Sequence, residues 1–124
     1  MAVLKGFYLR VQLSEVQDMK NDNPEKYIDQ SYPLTNGIIS KNPADKFQRI
    51  KFDFDGIDDA WSGYVSGFLY QDKKFLGTFY PVKESGNSSV KMDGNYSIKK
   101  GIIKIWGYER GANVDEGFCL QLNK

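Results

Sequence analysis

Four acidic side chains fall in the segment Asp53-Phe54-Asp55-Gly56-Ile57-Asp58-Asp59, and an oxygen-rich run bent by a glycine is what a calcium ion prefers. The known twelve-residue calcium loop sets a test, because its glycine occupies the sixth position. With Gly56 in that place, Lys51 would stand first and Ser62 last, where the loop needs Asp and Glu. The match fails at both ends. The segment reads as outward-facing strand aspartates running into an acidic turn, with Asp53, Asp55, Asp58 and Asp59 open to a cation or a basic partner. Two of them could serve glycoside hydrolysis at a carboxyl separation of roughly 5 to 9 Å, but no other feature of the chain supports that chemistry.

Other catalytic routes lack their reagents. The chain has no histidine, which removes the commonest general base, the commonest metal ligand and the usual partner of serine and cysteine nucleophiles. Its single cysteine, Cys119, sits between Phe118 and Leu120 with no second thiol nearby in sequence, so it reads as a structural thiol and not a nucleophile. Zinc sites built on Cys and His are excluded on the same ground. We therefore expect no catalytic residues, no metal and no cofactor.

A different pattern points to recognition. If Ile103 and Ile105 face a core, period-two geometry puts Lys104, Trp106, Tyr108 and Arg110 together on the opposite face. Trp, Tyr and Arg are the residue types enriched in interface hot spots. Two bland alternatives compete: the same face could be covered by the segment carrying the short helices, making Trp106 and Tyr108 ordinary core, or it could line the lumen of a barrel. Trp61 and Tyr64, just after the acidic turn, form a second candidate pair. Lys5-Gly6-Phe7 begins like an aromatic RNA-contact motif, but Tyr8, Leu9 and Arg10 break it. Gly63, Gly67 and Gly77 lack the Lys-Ser or Lys-Thr of a phosphate loop and read as glycines easing close packing in a strand pair.

The elements that must position these groups are strands. Eight Phe, eight Tyr and two Trp make 15% of 124 residues aromatic, and aromatics favour strands. Residues 3 to 13 alternate, with Val3, Phe7, Leu9, Val11 and Leu13 on the side expected to be buried and Gly6, Tyr8, Arg10 and Gln12 on the other. In residues 47 to 55, Ile50, Phe52 and Phe54 should face inward and Arg49, Lys51, Asp53 and Asp55 outward. Residues 63 to 71 and 75 to 83 read as a hairpin across a polar connection. Asn36-Gly37 and Asp93-Gly94 read as turns, the first beside a short strand near Ile38-Ile39, the second joining strands at 90–92 and 96–98. Lys99-Lys100-Gly101 leads into a strand at 102–108, and a last strand follows at 118–122. Helix finds room only between the first two strands, over Pro24 to Gln30 and at the capping-box spacing Ser14 to Gln17.

These readings give one all-β domain over residues 1–124: mainly β, an antiparallel sandwich or small barrel of roughly seven to eight strands, with one or two short helices between the first two. A net charge of +1 leaves no electrostatic footprint for nucleic acid. No apolar run approaches the roughly 18 residues of a membrane span. Lys5 and Arg10 interrupt the apolar opening run and no small-residue cleavage site follows, so that run is expected to be mature protein and the chain cytoplasmic. The function expected first is a non-catalytic protein-binding module, such as a small bacterial inhibitor or toxin-neutralising immunity-type protein. The alternative is a lipocalin-like small barrel holding an apolar or aromatic ligand, which requires Trp106 and Tyr108 to point inward.

Overall fold

The computed structural model describes residues 3–24, 31–41, 43–56, 62–82, 88–111 and 115–124. Eight strands follow one another in the order β1 Leu4–Val11, β2 Tyr32–Ser40, β3 Phe47–Phe54, β4 Gly63–Tyr70, β5 Lys74–Pro81, β6 Val90–Lys99, β7 Ile102–Arg110 and β8 Asp115–Asn123. Each pairs antiparallel with the next, and β8 pairs back to β1 from Lys5–Asn123 to Val11–Gly117, closing an up-and-down barrel. Closure resolves the choice between sandwich and barrel, and it leaves no sheet edge exposed. A 3-10 helix, Leu13–Lys20, follows β1 and packs on the outside of β7 and β8. It starts where the Ser14–Gln17 spacing predicts a short helix; the other predicted helix, over Pro24 to Gln30, falls mostly in residues 25–30, outside the described ones.

One side of every strand fills the barrel. Phe75, Ile105, Phe118, Leu120 and Leu122 are at 0% exposure and Leu34, Ile50, Phe52 and Leu69 at 1%. A side chain bordering a water-sized void would carry accessible area, so this level of the barrel is solid core. Large rings fit because glycines lie beneath them. A Cβ at Gly77 would come 2.6 Å from Cζ of Phe75, and one at Gly67 would come 3.0 Å from Cε1 of the same ring. Gly67 and Gly77 are direct cross-strand partners, so the Phe75 ring lies over a two-strand floor that has no side chains.

Several local expectations needed correction. On β1 the inward residues are Leu4 and Tyr8, while Phe7 and Leu9 are buried on the outward side. The predicted faces are inverted, because both sides of this strand are covered and alternation carries no contrast. Asn36-Gly37 is not a turn but a bulge inside β2: the register shifts there against both β1 and β3, and Asn36 has φ 56°. Gly37 is needed for close approach, since a Cβ would sit 2.9 Å from that of Leu4. Asp93-Gly94 is not a turn either. It lies within the continuous β6, where Gly94 faces Gly107 of β7 and a Cβ would collide with the Trp106 carbonyl oxygen. The turn expected at Lys99 to Gly101 is present, with Lys100 and Gly101 both at positive φ (53° and 78°), as a two-residue hairpin turn requires.

Phe75→Ala should lower stability by about 3–5 kcal/mol, the usual loss for an aromatic in a packed core. Leu76→Ala, one residue on and facing outward, should cost less than about 0.5 kcal/mol. Urea unfolding of both variants checks this, and equal midpoints would contradict a filled barrel.

Candidate functional site

Strand parity places Lys104, Trp106 and Tyr108 on the outward side of β7, as predicted, and the 3-10 helix covers the first part of that ladder. Trp106 is 4% exposed, packed with Val16, Met19 and Cys119. Gly117 of β8 makes room for this cover, because a Cβ there would run into Val16 Cγ2. The Lys104 ammonium donates to the carbonyls of Lys20 (2.7 Å) and Asp22 (3.2 Å) and lies 5.5 Å from the Trp106 ring. Burial pulls its pKa below the ordinary lysine value, and the charge of Lys99 acts in the same direction. Tyr108 is half-buried, with its hydroxyl accepting from Gln17 Nε2 at 3.3 Å. Arg110 is exposed, 3.7 Å from Asp93 Oδ2 and 5.6 Å above the Tyr108 ring. Trp106 and Lys104 are thus held by the chain's own helix, while Tyr108 and Arg110 reach the surface. Cys119 shares the covered cluster, and burial pushes its thiol up to about 12, so it is protonated near neutral pH.

The exposed aromatic surface lies further round the barrel, on the outer face of β3, β4 and β5. Tyr64 and Tyr80 are cross-strand partners with stacked rings 5.0 Å apart, and the Lys51 ammonium sits 4.8 Å above Tyr64. Arg49 covers two further rings, 5.6 Å from Phe47 and 5.5 Å from Phe68, which meet edge to face at 5.0 Å. Tyr64, Leu76 and Tyr80 are 39%, 49% and 41% exposed. The register continues the surface sideways through Phe68, Leu76, Asp93 and Tyr108. A groove of about 700 Å³ runs beside this row, with Leu76, Tyr70, Asp93 and Tyr108 in its walls. Tyr108 and Arg110 of the predicted set therefore border the Phe68–Leu76 row, while Tyr64 lies on the same outward side of β4 beyond the Ser66–Thr78 pair. Phe47, Phe68, Leu76 and Tyr80 were missed, although the parity of the β4–β5 hairpin, with Val65 and Leu69 inward, was available to place them.

Trp61, Asp58 and Asp59 lie outside the described residues. Asp53 accepts from Asn36 Nδ2 at 2.8 Å, and Asp55 accepts from the Ser62 hydroxyl at 3.4 Å. Among the described residues no group of three or more His, Cys, Asp or Glu gathers as a metal site.

A polar contact unforeseen in the sequence lies inside the barrel. Tyr8 of β1 donates its hydroxyl to Glu109 of β7, which is 9% exposed. Tyr8 also meets Phe54 edge to face at 4.9 Å and stacks on Phe118 at 6.1 Å. An unpartnered buried carboxyl is costly, and the phenol offsets part of that cost. Burial holds the Glu109 pKa above its ordinary value, against the Tyr8 hydrogen bond that lowers it. Burial, then the neighbouring Glu109, raises the Tyr8 phenol well above its ordinary value. Toward the barrel end, Arg10 Nε lies 2.5 Å from Glu116 Oε2, but the contact lacks hydrogen-bond geometry and both side chains are substantially exposed, so it adds little stability.

No family model, curated protein or solved structure matches this chain, and its own geometry carries the reading. That geometry makes a pH prediction. Because the folded-state pKa of Glu109 is raised above 4.5, the unfolded chain loses this proton first, and stability falls as pH climbs from about 4.5 through the folded value. Glu109→Gln should remove that component, flattening stability against pH over the window in chemical denaturation. An identical slope in both proteins would contradict the assignment.

Proposed function

We propose that this chain is a non-catalytic protein-binding module, of the kind represented by a small inhibitor or an immunity-type protein, and that it docks through the outer face of β3, β4 and β5. The observation that carries the reading is the outward set on these strands: the exposed Tyr64–Tyr80 pair with Lys51 over the Tyr64 ring and, beyond the Ser66–Thr78 pair, the exposed Leu76 beside the half-buried Phe68 with Arg49 over its ring. Tyr and Arg dominate interface hot spots because they bury large area with few rotatable bonds and still donate hydrogen bonds. Here the rings already brace one another, so little side-chain freedom remains to be lost on binding.

Charge indicates the partner's character. Arg49, Lys51, Lys74 and Lys91 face outward around the apolar centre, and Asp53 is engaged with Asn36. An acidic partner surface complements these cations. The small-ligand reading keeps the barrel itself in its favour, but the two side chains it required inside, Trp106 and Tyr108, lie outside, and the middle of the lumen is packed.

A photoreactive residue in place of Leu76 should crosslink one partner protein in lysate of the source, whereas the same group at Lys5, exposed on β1, should not. Tyr64→Ala and Tyr80→Ala should each weaken the identified partner by about 2 kcal/mol, roughly thirtyfold, without shifting the thermal midpoint by more than a few degrees. Equal crosslinking from both positions, or an adduct consisting of nucleic acid, would overturn the proposal.

A further inference from the structure

A cleft of about 440 Å³ opens between the C-terminal end of the 3-10 helix, the β4–β5 turn and the end of β6, within the size range of small-molecule sites; Asn95 lines both this cleft and the groove beside Leu76. Three lysines reach it from three separate elements: Lys20 from the helix, Lys73 from the β4–β5 turn and Lys99 from the end of β6. Asn21, Asn95 and Ser97 add neutral donors, and among the described residues no carboxylate lines it. In a chain of net charge +1, three cations converging on one concavity are a local concentration that composition does not require. Bringing them together costs electrostatic free energy unless an anion joins them.

Lys73 is held at φ 69° by the hairpin turn that its N–H closes onto the Tyr70 carbonyl. Its ammonium stands 5.4 Å from the Tyr96 ring, in the cleft wall. At the helix end, the carbonyls of Lys20 and Asp22 would repel an anion, but both already accept from the half-buried Lys104 ammonium.

We propose that this cleft binds a small, multiply charged anion, a phosphate or sulfate ester, gripped by Lys20, Lys73 and Lys99 against a wall formed by Tyr96 and the edge of Trp106. The three lysines of this cleft are not among the residues of the proposed protein-binding face, so either proposal can fail without the other. Charge-assisted hydrogen bonds supply the affinity, which makes binding salt-sensitive.

Inorganic pyrophosphate and inorganic sulfate are the probes, followed by amide chemical-shift changes in two-dimensional NMR. Saturable shifts confined to Asn21, Lys73, Asn95, Ser97 and their neighbours are expected, with pyrophosphate the tighter if phosphate esters are the natural class and sulfate equal or tighter if sulfate esters are. Lys99→Ala should weaken binding about tenfold, and the exposed control Lys91→Ala should leave it unchanged. Lys73→Gly removes the charge while suiting the local backbone, so a comparable loss in that well-folded variant separates binding from misfolding. Unsaturable shifts scattered over lysines all round the barrel, or equal weakening by Lys91→Ala, would overturn the proposal.

Discussion

The β1–β8 pairing is the constraint on which the other arrangements depend. It joins the two ends of the described chain along a ladder running from Lys5–Asn123 to Val11–Gly117 and turns a meander with two exposed edges into a closed surface. Once closed, each strand has a fixed inside and outside, and a one-residue slip would exchange them. Phe118, Leu120 and Leu122 are committed to the core by this register, and Cys119 and Gln121 to the outer wall. The Tyr8–Glu109 contact depends on it too, because β8 lies between the strands that carry those residues.

With the interior filled, one side of the outer wall is covered by the chain itself, and the β3–β5 side is the one proposed for recognition. The 3-10 helix takes the β7–β8 side, where Val16 and Met19 cover Trp106 and Cys119. Gly117 lets it approach closely, and the Lys104 ammonium anchors its end. The β3–β5 side carries Tyr64, Leu76 and Tyr80 at the surface, and on the proposed reading a partner covers it.

How much was legible in the sequence followed from how much contrast each segment carried. β3 was readable because Ile50 and Phe52 face a core while Arg49 and Lys51 face water, and β7 because Ile103 and Ile105 anchor its parity. β1 was misread because Phe7 and Leu9 are buried as fully as Tyr8, so hydrophobicity could not tell its sides apart. Asn36-Gly37 and Asp93-Gly94 have strong local turn propensity, and pairing with neighbouring strands overrode it, as tertiary context does for sheets. The Lys104–Arg110 face was identified correctly as a face, and its cover by the segment carrying the short helices was one of the readings the sequence offered. The choice among them was not legible, because no local pattern shows where a short helix will land. The Tyr8–Glu109 pair spans 101 residues and exists only after closure, and the β4–β5 patch needed the cross-strand register that aligns Tyr64 with Tyr80.

Hydroxyl-radical footprinting read by mass spectrometry tests the division of the two walls most directly, comparing the free protein with its isolated complex. The account predicts that Tyr64, Leu76 and Tyr80 oxidise readily in the free protein and become protected in the complex, while Trp106 and Met19 stay protected in both. Ready oxidation of Trp106 in the free protein, or protection on binding confined to the 3-10 helix and β7, would contradict it and return the recognition surface to the wall that the helix covers.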